Sequence, residues 1–250
     1  MAMDREERER RAGSFGSVAE VYERARPGYP DGAVRWLAGS EPCDVVDLAA
    51  GTGKLTSSLV ALGHRVTAVE PLPEMLAQLR SVVPGATAVT GTAESMPLAD
   101  GAADVVTVAQ AFHWFDHAAA LREIARVLRP GGRLALVWNT RDDTEEWVTK
   151  FTDTIVGGSD FRAGGVAAMT EPIDDSGLYG AVERASFSHV QLLRRDELVA
   201  LVSSRSECAV LPDEEQRPVL ARVGALFDTY ATDGVLAMPY VTECFRTTRL

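Results

Sequence analysis

Val45-Val46-Asp47-Leu48-Ala49-Ala50-Gly51-Thr52-Gly53-Lys54 is the stretch on which the reading of this chain turns. Val45, Val46 and Leu48 are the β-branched and apolar residues of a short buried strand. Gly51 and Gly53 lack a Cβ, so the backbone there bends tightly and lets a ligand approach, and helix N–H groups open at Lys54. On either side, apolar runs at residues 65–69, 86–89, 103–108 and 133–137 are bounded by Gly, Pro and Asp, as buried parallel strands are. Segments 54–62, 73–82 and 118–128 carry apolar residues three and four apart, for example Leu121, Ile124, Ala125 and Leu128, which predicts amphipathic helices. Strand and helix thus alternate from residue 44 to 137, the pattern of an α/β, doubly wound sheet with right-handed crossovers.

Outside this core, residues 14–37 read as two helices joined by the turn Arg26-Pro-Gly-Tyr-Pro30. Residues 143–156 read as a helix, 157–180 as a glycine-rich irregular connection, 185–193 and 240–247 as strands, and 195–203 and 214–230 as helices. No repeat or linker separates two domains, so the expectation is a single domain over 1–250. Within it, 1–40 is a helical cover, 41–140 the ligand-binding core, 141–182 a lid, and 183–250 the closing strands and helices.

A formal net charge of -11 and a pI near 4.9 oppose a protein that grips phosphate backbones, so no nucleic-acid partner is expected. No run of about 18 apolar residues is present, and residues 1–11 alternate acids and arginines where a signal peptide would be apolar. Cytoplasmic location without membrane attachment follows as the expectation. Cys43, Cys208 and Cys244 show no C-x-x-C spacing, so they read as reduced thiols. The oligomeric state is left open.

In an open parallel sheet, ligands sit beyond the carboxyl ends of the strands where strand order reverses, which directs attention to the turn after Leu48. A P-loop fails there, because Leu48 stands where its first glycine belongs and Leu55 where Ser or Thr would meet magnesium. A dinucleotide fingerprint starting at Gly51 needs a third glycine where Thr56 stands, which disfavours NAD. Glu70 ends the second strand 19 residues after Gly51, where a carboxylate accepts the two hydroxyls of a ribose. That placement suits NAD and S-adenosylmethionine (SAM) alike, and a surface acid closing a strand is the plainer reading.

Four motifs in order, Asp47-Leu-Ala-Ala-Gly-Thr-Gly53, Ala68-Val-Glu70-Pro71, Gly91-Thr-Ala-Glu-Ser-Met-Pro97 and Leu128-Arg-Pro-Gly-Gly132, resemble the Rossmann-like (class I) SAM-dependent methyltransferases. Arg26-Pro-Gly-Tyr-Pro30 and Gln110-Ala-Phe-His-Trp-Phe115 are similar to the small-molecule branch of trans-aconitate methyltransferase-like enzymes. The resemblance implies a seven-stranded, mostly parallel sheet with a reversed C-terminal strand pair and an N-terminal helical cover. It implies that Asp47, Ala49, Gly51, Thr52 and Gly53 hold the methionine part of SAM, and that Glu70, with Pro71 beside it, holds the ribose. Leu72 and Met75 would pack the adenine, and Ala93 and Glu94 would meet its edge. Two positions depart from the family: Ala49 replaces the usual first loop glycine, and Thr92 the usual acid at the adenine edge. Tyr22 and Arg26 resemble a cover over the site, with Phe15, Tyr29 and Trp114 lining the acceptor pocket.

Methyl transfer is an in-line displacement, and alignment of the nucleophile supplies much of the catalysis. Gln110, ending the fourth strand, and Phe112 are expected near the sulfonium, whose charge favours aromatic faces. His113 is the candidate base for a hydroxyl, amine or carboxylic acid; the alternative is a histidine that only hydrogen-bonds the loop. His113 and His117 lie four apart, as metal ligands on a helix do, yet no third ligand is evident, and Asp116 reads as an N-cap. No metal is therefore expected. The expected activity is methylation of a small molecule, with O-methylation favoured. The rivals are an NAD-dependent oxidoreductase and a SAM-binding cyclase, decarboxylase or regulatory module on the same scaffold.

Overall fold

The strand expected at Val45–Leu48 forms as β1 (Asp44–Leu48), and α1 (Asp31–Ala38) precedes it. A computed structural model describes residues 26–155, 167–203, 208 and 211–250. The first N-terminal helix, with Phe15 and Tyr22, and the segment 156–166 of the expected lid lie outside the described residues. After β1 come α2 (Lys54–Ala61), β2 (Arg65–Val69), α3 (Pro73–Val82), β3 (Thr87–Val89), β4 (Ala103–Ala109), α4 (His117–Val127) and β5 (Leu128–Arg141). Then follow α5 (Glu146–Thr154), α6 (Ala167–Ser176), β6 (Glu183–Leu193), α7 (Arg195–Ser203), α8 (Asp213–Tyr230) and β7 (Leu236–Thr248).

The seven strands form one sheet in the order β3-β2-β1-β4-β5-β7-β6, mostly parallel with a reversed C-terminal pair. Val46 stands opposite Thr67 of β2 on one side and Val106 of β4 on the other. The chain steps outward from β1 to β3 and then returns to β4, so the order reverses between β1 and β4. That reversal opens the crevice at the carboxyl ends of these strands. At the opposite strand ends, Asp44 accepts from Arg65 at 2.6 Å and Arg129 at 2.9 Å, which holds its carboxyl down at about 2.

The chain divides into two compact units. One comprises Met1–Pro27, Thr140–Gly164 and Ser188–Val241; the other comprises Gly28–Asn139, Gly165–Phe187 and Thr242–Leu250. In the first, Val148 and Phe151 of α5, Leu198 and Val202 of α7 and Val223 of α8 share a buried cluster with Met238. In the second, Val34 and Leu37 of α1 and Leu55 and Leu59 of α2 pack with Val45, Val66, Val105 and Val137 from four strands.

Three elements differ from the sequence expectation. The helix expected to reach residue 128 ends at Val127, and β5 begins at Leu128, which pairs with Ala103 before a register shift. Gly131, at φ +74°, lies in that irregular stretch and supplies a backbone angle other residues resist. The connection expected to be irregular contains α6, which packs against α4 and buries Ile173 despite Pro172. Tertiary burial outweighs the local proline penalty there. The last strand starts at Leu236 rather than at residue 240, and its alternating burial shows the two-residue period of a sheet.

Candidate functional site

Asp47 is the penultimate residue of β1, and its carboxylate turns inward rather than toward the crevice. It is 1% exposed; Thr56 of α2 donates its hydroxyl to Oδ2 at 2.6 Å and Thr107 of β4 donates to Oδ1 at 2.9 Å. The acid therefore ties the strand to the first turn of the following helix and to the neighbouring strand. Thr56, the residue that broke the dinucleotide fingerprint, is one of its two anchors. Burial pushes the Asp47 carboxyl up to about 6, with the two hydroxyls pulling the other way.

This shift has a testable sign. The folded-state value, about 6, exceeds the ordinary 3.8, so between those pH values the folded chain binds more protons than the unfolded one. Stability attributable to Asp47 is greatest at low pH and falls as pH rises through this window, by roughly 3 kcal/mol in all. Asp47→Asn removes the charge at nearly constant shape. Denaturant unfolding at pH 4 and pH 7 is expected to show the variant gaining about 2 kcal/mol on the wild type between the two, since pH 4 already lies above the unfolded value, whereas a constant difference would refute a penalised ionisation.

The turn after β1 holds an unusual backbone. Ala49 and Gly51 have φ +55° and +58°, and Gln110, just past the end of β4, has φ +59°. Only one other non-glycine residue among the described ones, Asp233, has positive φ, so the left-handed residues gather at the crevice. Each costs of order 1 kcal/mol for a residue with a Cβ, and such strain concentrates at functional sites. A Cβ placed on Gly51 would meet nothing within 4 Å, so the turn faces open space there. Gly53, at φ +96°, heads α2 and lies so close to α3 that a Cβ would stand 3.0 Å from both Leu79 and Val83.

Glu70, one residue past β2, is 5% exposed. Its Oε2 accepts from the Gly51 N–H at 2.9 Å and its Oε1 from the Leu72 N–H at 3.0 Å. Burial raises its carboxyl above the ordinary range while these two N–H groups oppose the rise. A carboxylate has about four acceptor positions, so the two backbone bonds leave others for ligand hydroxyls. Thr52 presents the complementary feature, a buried hydroxyl with no hydrogen-bond partner.

The remaining predicted residues separate into those at the crevice rim and those buried in packing. Leu72 is half-buried at the head of α3 and Pro71 is exposed, whereas Met75 is 2% exposed and belongs to the core. Ala93 is buried; Thr92 exchanges backbone bonds with Ser95. Glu94 spends Oε1 on the Asp116 N–H at 3.0 Å, so it braces the head of α4, where Asp116 caps Ala119 at 3.1 Å. Phe112 is wholly buried, stacked on His117 at 4.6 Å and edge-on to Phe115 at 5.8 Å, so its ring is committed to packing rather than open to a sulfonium. His117 approaches the Phe112 carbonyl with Nε2 at 3.1 Å, which gives it a structural place. His113 is exposed in the 3-10 turn Phe112–Trp114, its ring 4.8 Å from that of half-buried Trp114. Half-buried Tyr29 packs against the core cluster that holds α1, and Arg26 is half-buried in the other unit. Among the described residues no group of three or more His, Cys, Asp or Glu is placed to hold a metal ion.

Sequence reasoning missed Thr107 and Asn139. Thr107 was hidden inside an apolar strand, and its only signal is a hydroxyl amid valines. Asn139 is a polar residue directly after the buried run Leu134–Trp138 at the carboxyl end of β5, a position the switch-point rule marks.

These residues fit a ligand that carries ribose hydroxyls. Glu70 offers a buried acceptor for ribose hydroxyls, the turn at Gly51 offers an open backbone, and Thr52 offers an unmet hydroxyl. Comparison with known proteins agrees. A methyltransferase domain family matches residues 46–136. An uncharacterized methyltransferase of Mycobacterium tuberculosis is 45% identical over 238 residues, covering 94% of this chain and 95% of that protein. An uncharacterized methyltransferase-like protein of Schizosaccharomyces pombe is 36% identical, covering 86% of each. The solved structure of a proposed type II methyltransferase of Anaeromyxobacter dehalogenans superposes with a TM-score of 0.66 at 25% identity, covering 90% of this chain and 97% of that one.

Proposed function

We propose a small-molecule acceptor, with oxygen as the favoured nucleophile, for this chain, which belongs to the class I SAM-dependent methyltransferases. The observation that carries the reading is Glu70, a buried carboxylate that pins the Gly51 turn at the reversal of strand order and keeps acceptor capacity facing it. Bound SAM supplies a sulfonium whose methyl carbon is open to in-line displacement. Glu70 would accept the ribose hydroxyls, the backbone from Ala49 to Gly53 would follow the methionine part, and Leu72 would flank the adenine. With Glu94 engaged by Asp116, the Ala93 backbone is the better partner for the adenine edge. Gln110 would border the reacting centre, its backbone held by a bond from its N–H to the Val137 carbonyl at 2.9 Å.

A net charge of -11 supports a small acceptor over a polynucleotide. Cys43, Cys208 and Cys244 stand outside any disulfide among the described residues, which supports a reducing compartment such as the cytoplasm. His113 is the proposed base: it lies three residues after Gln110 and keeps an exposed ring that a substrate proton can reach. His113→Ala is expected to leave the affinity for S-adenosylhomocysteine (SAH) within about threefold while lowering turnover at least about tenfold; unchanged turnover removes the base role. Labelled-methyl transfer to a panel of carboxylic acids, phenols and amines tests the function itself. Transfer to an acid or phenol supports it, and SAH binding without transfer to any member favours a SAM-binding module.

A further inference from the structure

We propose that Asn139 is a positioning residue for the methyl acceptor, holding the Gly28-Tyr29-Pro30 segment and Gln110 as one wall of the crevice. The proposal rests on the cofactor reading above. Glu70 directly follows β2, on one side of β1, and so would place the ribose end of the donor over that half of the sheet. The acceptor must then approach from the other half, over the carboxyl ends of β4 and β5. Asn139 stands at that end of β5, next to the point where Gln110 leaves β4.

All the polar groups of the Asn139 amide, and its own carbonyl, are used there. Thr242 of β7, wholly buried, donates its hydroxyl to Asn139 Oδ1 at 2.6 Å. The Gly28 carbonyl, which can only accept, takes the Nδ2 donor at 2.9 Å and so fixes which way the amide faces, leaving Oδ1 to the hydroxyl. The Asn139 backbone carbonyl accepts from Gln110 Nε2 at 3.3 Å. One residue therefore joins the side chain of Gln110, whose backbone is held at φ +59°, to the segment that bears Tyr29. The segment continues directly into α1, whose Ala33 and Val34 N–H groups donate to the Pro30 carbonyl at 2.9 and 3.1 Å. Losing the Gly28 bond would remove one anchor of the rim, at the residue next to Tyr29, while the Glu70 and Gly51 side would keep every bond it has.

Asn139→Asp is the discriminating variant. It keeps the shape and the acceptor for Thr242 but replaces the Gly28 donor with an oxygen that repels the Gly28 carbonyl. Three measurements on the full chain are compared with wild type: SAH affinity by calorimetry, amide hydrogen exchange over residues 28–34, and KM and kcat for an acceptor found in the panel. The expected result is SAH affinity within about threefold, exchange in residues 28–34 faster by about tenfold with β1 unchanged, and acceptor KM raised about tenfold or more. Thr242→Val, which removes the hydroxyl that holds Asn139 Oδ1 without adding charge, should move all three in the same direction by less. Unchanged exchange in both variants overturns the tether, and a fall in SAH affinity matching the change in KM overturns the assignment to the acceptor side. A wild type that binds no SAH instead sinks the cofactor reading, and the exchange measurement still decides whether Asn139 holds the segment.

Discussion

Replacing Glu70 with alanine is expected to weaken SAH binding by at least about 100-fold while leaving the chain folded. The carboxylate receives the Gly51 and Leu72 N–H groups in the structure, and hydrogen bonds to a charged acceptor contribute about 1.5–3 kcal/mol each. Alanine removes both, so the turn loses its brace at the same time as the ligand loses its acceptor. These two losses fall on the same step, because a loosened turn must be reordered on binding. Glu70→Gln separates them: its single carbonyl oxygen keeps one backbone bond, and the expected affinity lies between wild type and alanine. Calorimetric titration with SAH is the measurement. An alanine variant binding within about threefold of wild type would show that the carboxylate serves only the loop and that the ribose lies elsewhere.

Gly53→Val is expected to destabilise the fold by about 4 kcal/mol, the largest stability effect anticipated for a single residue of the turn. Two causes add. At φ +96° a β-branched residue is forced into a backbone region it resists, and its Cβ would stand 3.0 Å from Leu79 and Val83 at the α3 packing face. Gly53→Ala keeps the backbone strain and most of the contact but lacks the branching, so a loss of about 2 kcal/mol is expected. Pairing Gly53→Ala with Leu79→Ala in a double-mutant cycle isolates the share of the steric part that Leu79 contributes, the rest falling on Val83. Denaturant unfolding at fixed pH supplies all four values. Near-neutral Gly53→Val would mean that the head of α2 can move off α3 freely.

Much of the site was legible because its features are local. The strand–turn–helix at Asp47–Gly53 and the acid 19 residues beyond Gly51 depend on short-range backbone geometry, which glycine spacing and β-branched runs report directly. The N-cap Asp116 was equally visible, since a capping side chain reaches only its own helix turn. Side-chain direction was not. Asp47, Met75, Phe112 and Glu94 sit at motif positions that point toward a ligand by resemblance, yet their side chains engage Thr56 and Thr107, the core, His117 and Asp116. Each of those partners is supplied by packing or by a loop whose path depends on other elements.

By itself the sequence determined the alternation of strand and helix, the sharp turn at Gly51 and Gly53, and a carboxylate at the end of β2, because each is encoded in residues close along the chain. Only the tertiary structure decided that Asp47 is a buried brace rather than an exposed contact and that Ala49 and Gln110 both hold left-handed backbone across one crevice. It also decided that Asn139 joins β5, β7 and the Gly28 segment. The reason is physical: these features depend on contacts between residues 9 to 111 positions apart. Strand order alone brings such residues together.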